Sequence, residues 1–334
     1  MLSSAVLTFA DPYEYQRSIR ATDVEVFVTA PGEYRAGLTR IVLHQLWMQR
    51  SQILLPQIFH SVMRKGRKAL FFLADLQQKP IYHSGMELAA GDVMVYSPRS
   101  EHHMRFPTES HWGAMSLSPE DLATAGRALI GRDLSAPAVT HLIRPRPDVM
   151  SRLLQLHEAA GHLAATAPDI LAHPEVAKAI EQELIRAMVA CLTEPTAADK
   201  HRSRPKRLSV LRRFEQMLET KKDESIYITD VCAEIGVTAR TLRLYCQEHL
   251  GMSPHQYLWL RRMNLVRRAL TRADPATTTV TAIANDHGFG ELGRFAVTYR
   301  RLFGESPSAT LRQPPNELPS PGTSLRQRSL SGSA

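Results

Sequence analysis

A chain of 334 residues, 43% of them hydrophobic, predicts two domains, and it holds no apolar run long enough for a membrane span and no basic-then-apolar leader, so we expect a cytoplasmic protein without membrane contact. The net charge of +8 is unevenly divided: residues 1–195 carry 19 Lys and Arg against 20 Asp and Glu, and residues 196–334 carry 22 against 13. Such segregation suits phosphate neutralisation better than a partnerless solvated surface, while Cys191, Cys232 and Cys246 have neither disulfide-framework nor zinc spacing and read as buried hydrophobes.

From Asp23 to Trp112 short alternating or β-branched runs, "DVEVFVTA", "TRIVLHQLWMQ", "ALFFLADL" and "GDVMVYSP", predict the strands of a β-sandwich or small barrel. "SPEDLATAGRALIG" then reads as a helix with Ser118 as N-cap, Pro119 at its first position and Gly131 as its stop. Asp148 to Ala165 and Pro174 to Leu192 carry apolar residues at helical spacing and form an αα-hairpin, which either pairs subunits or packs on its own β domain. Thr193 to Arg207 is polar, charged and proline-containing, as a linker would be, and the tail beyond Gln313 has the composition of a disordered segment. The expected class is therefore α+β. Residues 1–135 form the β domain, 136–193 the hairpin with a dimerisation role, 194–207 the linker, 208–312 an all-α domain and 313–334 the tail.

Two stretches of the basic part repeat each other. "DVCAEIGVTARTLRLYCQEHLGMSPHQYL" begins at Asp230 and "TAIANDHGFGELGRFAVTYRRLFGESPSATL" at Thr281. Cys232 and Gly236 match Ala284 and Gly288, and Leu242, Gly251, Ser253 and Pro254 match Phe295, Gly304, Ser306 and Pro307. Each copy has a short helix with a small residue four before a glycine, a turn at that glycine and a longer amphipathic helix, which is a helix-turn-helix. Projection at 100° per residue places Ala239, Leu242, Tyr245, Cys246 and His249 inward and Arg240, Arg243, Leu244 and Gln247 outward in the first copy. In the second, Leu292, Phe295, Ala296, Tyr299, Leu302 and Phe303 face inward, and Arg294, Val297, Thr298 and Arg301 outward. The glycines of "GFGELGRFAVTYRRLFGESP" are thus punctuation: they follow no strand, and no G-K-[ST] accompanies them as a phosphate loop requires.

Outward arginine and glutamine can pair bidentately with guanine and adenine edges, whereas Arg300 and Arg301, near the end of their helix, suit phosphates. Between the copies the spacing of Tyr257, Leu260, Met263 or Leu265, Val266 and Leu270 predicts a linker helix of about sixteen residues, a rigid spacer for recognition helices about one DNA turn apart. Its Arg261, Arg262, Arg267 and Arg268 either serve phosphates or solubilise the helix.

With "RRMNLVRRAL" in that helix, "VTAIANDHGF" leading into the second turn and "FGESP" closing it, Leu211 to Leu311 resembles the DNA-binding domain of the AraC/XylS family of bacterial transcription regulators. The resemblance implies a non-enzymatic, sequence-specific activator. It would insert recognition helices at about 238–250 and 291–303 into successive major grooves of double-stranded promoter DNA, commonly as a homodimer, with RNA polymerase as a further partner. It also implies base-facing roles for Arg240, Thr241 and Arg243 in the first helix and for Leu292, Gly293, Arg294 and Val297 in the second. Gln247, Thr298, Arg300 and Arg301 complete the expected DNA-binding set, and Leu244 departs from the arginine frequent at its place.

The family's sensor domain is commonly cupin-like, and "GDVMVYSPRSEHH" resembles the second cupin box, with His103 near a ligand position. The first box is missing, and one histidine cannot hold a catalytic metal. His60, His83, His102, His103 and His111 therefore read as polar core or loop residues, and no metal or cofactor is expected. A jelly-roll mouth still offers a pocket for a small-molecule effector, with Trp47, Tyr82, His103 and Trp112 as its expected lining. A cupin-type metalloenzyme fused to a DNA-binding domain and a ligand-independent regulator are the alternatives.

Overall fold

The computed structural model describes residues 2–135, 137–193, 210, 213–214, 216–218 and 228–313. The expected linker and the tail beyond Gln313 lie outside the described residues.

Two antiparallel sheets face each other. The larger runs in the order β1 (Ser3–Phe9), β3 (Ala36–Val42), β4 (Trp47–Ile53), β11 (Ser110–Leu117), β6 (Lys68–Leu73), β9 (Val93–Val95), β12 (His141–Ile143). The smaller runs β2 (Thr22–Val28), β5 (Gln57–Met63), β10 (Glu101–Phe106), β7 (Ile81–His83), β8 (Met86–Leu88). Because alternate side chains leave opposite faces of a strand, Phe59, Met104 and Phe106 meet Phe71 and Trp112 in the space between the sheets. Phe59 packs on Phe106 at 4.7 Å and Phe71 stacks on Trp112 at 5.6 Å between ring centroids.

The other face of the large sheet buries Ile41, Met48, Leu70, Phe72 and Met115 under helices, in a second core. These are α2 (Pro119–Ile130), α3 (Pro147–Thr166), α4 (Pro168–Ala172) and α5 (Pro174–Thr193). The hairpin of α3 and α5 therefore packs on its own β domain. Helix α2 starts where its sequence indicates, with the Ser118 hydroxyl accepting from the Asp121 amide and Gly131 ending it at φ 69°. Gly113 lies where β11 passes under α3, and a Cβ there would stand 2.5 Å from the Phe72 ring and 2.8 Å from His157. Gly113→Ala should therefore destabilise by about 1–3 kcal/mol through overpacking, read as a lower urea midpoint at unchanged slope.

Three features of the β domain differ from the sequence reading. β1 and a short helix α1 (Pro12–Ser18) precede the first expected strand, and β12 falls inside the segment assigned to the hairpin. The run "TRIVLHQLWMQ" is split between β3 and β4, because the amides of Gln45 and Leu46 donate to the Glu181 carboxylate of α5 at 2.7 and 2.9 Å and hold the chain in a turn.

The C-terminal part is helical: α6 (Ile228–Ile235), α7 (Ala239–Leu250), α8 (Pro254–Arg272), α9 (Val280–Asp286), α10 (Leu292–Phe303) and α11 (Pro307–Arg312). The linker helix α8 has 19 residues rather than sixteen. It is apolar on most sides because it packs on helices of its own domain and also docks on the barrel. β2 is an edge strand of the small sheet, and its free backbone groups are occupied. The Val26 amide donates to Gln16 Oε1 of α1 at 2.9 Å, and Val28 exchanges two hydrogen bonds with the Asn264 side-chain amide of α8, at 3.0 and 3.2 Å. Asn264 thus does for β2 what a neighbouring strand would do.

Candidate nucleic-acid interface

Each helix-turn-helix is built by the same local chemistry. Helix α6 ends with the Val237 amide donating to the Cys232 carbonyl at 3.0 Å, and α9 with the Phe289 amide donating to that of Ala284 at 2.9 Å. In both, the intervening glycine, Gly236 or Gly288, is left-handed at φ 68° and 76°, as this type of helix ending demands. The second helices stop at Gly251 and Gly304, also left-handed. Ser253 and Ser306 then cap α8 and α11, each ahead of a first-turn proline. The internal repeat is therefore a repeat of backbone geometry.

Helix α7 buries Leu242, Cys246, His249 and Leu250, and α10 buries Phe295, Tyr299, Leu302 and Phe303. Ala239 and Ala296, expected inward, are exposed, their small side chains lying at the borders of the buried stripes. The opposite faces stay open: Arg240, Arg243 and Gln247 on α7 and Gly293, Arg294, Val297, Arg300 and Arg301 on α10 are exposed. Thr241, Thr298 and Leu292 are half-buried. The Thr241 hydroxyl lies 2.9 Å from that of the N-cap Thr238, and the Thr298 hydroxyl donates back to the Arg294 carbonyl at 2.8 Å.

Leu244, at the middle of the α7 outer face, is also exposed. It points outward as projected, beside the expected base contacts Arg240 and Arg243.

The linker arginines divide. Arg262 stays exposed with its guanidinium 5.4 Å from the Phe289 ring centre. Arg261 and Arg267 are buried. Arg267 pairs with Asp11 of the barrel at 3.1 Å and with Glu305 at 3.0 Å, and Arg268 pairs with Glu25 of β2 at 2.8 Å. These cations face carboxylates of the protein itself and not a duplex. The outer face of the small sheet completes the contact: Phe27 meets Tyr257 edge-on at 6.3 Å, Gly85 lies against the His249 ring, and Arg105 packs on Gly251. Glu25 is held down at about 2: its burial acts in the opposite direction and is outweighed by the neighbouring His60, 3.9 Å away, and by the hydrogen-bonded Arg268 guanidinium.

Between the sheets lies a cavity of about 50 Å³ lined by Thr22, Val24, Trp47, Gln49, Phe59, Met63, Phe71, Tyr96, Met104 and Trp112, among others. Of the four expected effector contacts it gathers Trp47 and Trp112. Tyr82 and His103 stand on the outer face of the small sheet instead, Tyr82 under the Arg105 guanidinium at 4.0 Å and His103 stacked on His60 at 4.7 Å. The register of β10 sends His102 and Met104 inward and His103 and Arg105 outward. His60, His83, His102 and His103 are buried and His111 is half-buried. Among the described residues no three His, Cys, Asp or Glu side chains converge so as to hold a metal ion.

A helix-turn-helix domain family matches residues 231–313. The chain is 30% identical over 203 residues to a probable thc operon regulatory protein of Rhodococcus erythropolis, covering 60% of this chain and 61% of that one. It is 34% identical over 106 residues to a XylDLEGF operon transcriptional activator of Pseudomonas putida, covering 32% of this chain and 33% of that one. The chain thus spans about three fifths of the length of the first relative and a third of the second. Among solved structures, the AraC-like transcriptional activator CuxR aligns with 80% of this chain and 95% of its own, at 13% identity and a TM-score of 0.40. Residues 231–313, which carry the paired helix-turn-helix units, thus match a helix-turn-helix domain family, and the chain is similar to these operon regulators.

Proposed function

We propose that the protein is a sequence-specific DNA-binding transcriptional activator that sets α7 and α10 into successive major grooves and answers to a small molecule held between the sheets of its N-terminal domain. The observation that carries this reading is the pair of exposed outer faces at corresponding places of a repeated fold, each bearing arginines at positions of its own, Arg240 and Arg243 on one helix and Arg294, Arg300 and Arg301 on the other. A spacer of 19 residues is about 28 Å long, comparable to the roughly 34 Å between successive major grooves on one side of a duplex. Homodimerisation is supported by a groove beside the hairpin, lined by Leu129, Ile130, Val149, Leu156 and Val189 together with the ion-paired Arg152, Glu183 and Arg186.

The effector reading rests on β2. Thr22 and Val24 line the cavity while Glu25 and Phe27, on the other side of the same strand, hold the linker helix. A ligand larger than the present space must displace Met63 and Met104, whose unbranched side chains repack readily. Moving β2 would then move the helix between the two recognition units.

Arg294→Ala should cost about 1–3 kcal/mol of specific binding and relax the preference at one base pair. Arg301→Ala should weaken all duplexes alike and lower the salt slope by about one. Titrations of both variants against specific and random duplexes over a salt series distinguish the two roles. Unchanged affinity of both variants at every salt concentration would sink the assignment of these faces.

A further inference from the structure

We infer that Leu244 and Val297 read thymine: each places an aliphatic side chain against the C5-methyl of a T in the major groove, one in each half of the operator. This rests on the DNA-binding reading above and adds to it the base class recognised at two positions. Leu244 is 58% exposed and Val297 70%, and from Ile228 to Gln313 they are the exposed large hydrophobics among the described residues. A single exposed aliphatic side chain is ordinary on a protein surface. Here the exposure recurs at one structural position: both are the sixth residue of their helix, counted from Ala239 and from Leu292.

The surroundings identify the occupant. Residues three and four apart on a helix are neighbours, so Leu244 is framed by Arg240, Thr241, Gln247 and Glu248, and Val297 by Gly293, Arg294, Arg300 and Arg301. A protein partner would meet an apolar patch, whereas each of these is one isolated aliphatic group within a charged and hydrogen-bonding frame that includes arginine in both helices. The major groove of DNA offers the matching pattern, because an A·T pair there presents one methyl group among hydrogen-bonding edges and phosphates. The inference predicts two A·T pairs about one helical turn, roughly 10 bp, apart, with Leu244 on one T and Val297 on the other.

The test starts by selecting bound duplexes from a random library with the full-length protein. Each T at the two expected positions is then replaced by deoxyuridine, which removes the methyl and leaves every hydrogen-bonding group in place. Wild-type affinity should fall about three- to fivefold at each site, the worth of one buried methyl group. In Leu244→Ala the uridine at the first site should cost nothing further while that at the second still does, and in Val297→Ala the pattern should reverse. Both side chains are exposed and alanine is a strong helix former, so the variants stay folded. An enriched sequence that tolerates uridine at both positions, or loses equally to it in wild type and variants, overturns the thymine reading alone. A library that yields no enriched sequence overturns the DNA-binding reading with it.

Discussion

Lowering the pH from 7 to about 4.5 should remove roughly 5 kcal/mol of folding stability, because His83 and His157 are buried as neutral rings. Burial pushes each down to about 3 from the ordinary 6.5, assisted by the charge of His103 on His83 and of Arg50 on His157. A folded pKa below the unfolded one means that the stabilisation is complete above about 6.5 and is lost as the pH falls toward 3, since the unfolded chain takes up protons that the folded chain refuses. Two such groups, each giving up about two pH units at 1.4 kcal/mol per unit, account for the figure. His102 is shifted in the same direction, chiefly by burial. Glu25 extends the loss below about pH 4.5, toward its own value of about 2. Urea denaturation at half-unit steps of pH measures the slope, which His83→Gln or His157→Gln should each reduce by about 1.4 kcal/mol per pH unit. A flat profile between pH 7 and 5 would show that these rings are not buried uncharged.

Arg267→Ala should destabilise the protein by about 3 kcal/mol or more, the cost of removing one member of a buried ionic cluster. The Arg267 side chain is 8% exposed, between Asp11 and Glu305 and 4.9 Å from the Phe303 ring centre. Asp11 also caps α1, its other oxygen accepting from the Tyr13 and Glu14 amides at 2.8 and 3.2 Å. One guanidinium thus joins the start of the barrel, the linker helix and the loop into the last helix, so its loss leaves two carboxylates facing a dry interface. The barrel and the helical domain should then unfold in separate transitions, seen as a second step in the denaturation curve monitored by tryptophan fluorescence and by circular dichroism. A single transition displaced by less than 1 kcal/mol would put Arg267 in the class of surface pairs.

Much of the helical part was legible because its signals are local. Gly236, Gly251, Gly288 and Gly304 are each required by a left-handed turn within two residues of a helix end, and Ser253 and Ser306 cap through their own hydroxyls. What escaped depends on distant partners. The turn between β3 and β4 contains no glycine, proline or asparagine and is held by Glu181, about 135 residues away in the chain. Helix α1 is too short for an apolar period and rests on its Asp11 cap. In "EHHMRF" two adjacent histidines offer either face, and only pairing with β5 decides that His102 points in and His103 out. The linker arginines look alike in sequence, and only docking separates Arg267 and Arg268, which meet carboxylates, from Arg262, which meets none among the described residues.

The alternation along β2 carries an evolutionary consequence. Its even-numbered side chains, Thr22 and Val24, belong to the cavity, and its odd-numbered ones, Glu25 and Phe27, to the attachment of the helical domain. Chemical taste and mechanical linkage are thereby written on interleaved positions of one strand. A lineage can exchange the first set to suit a new molecule while the second set keeps the same lever in place.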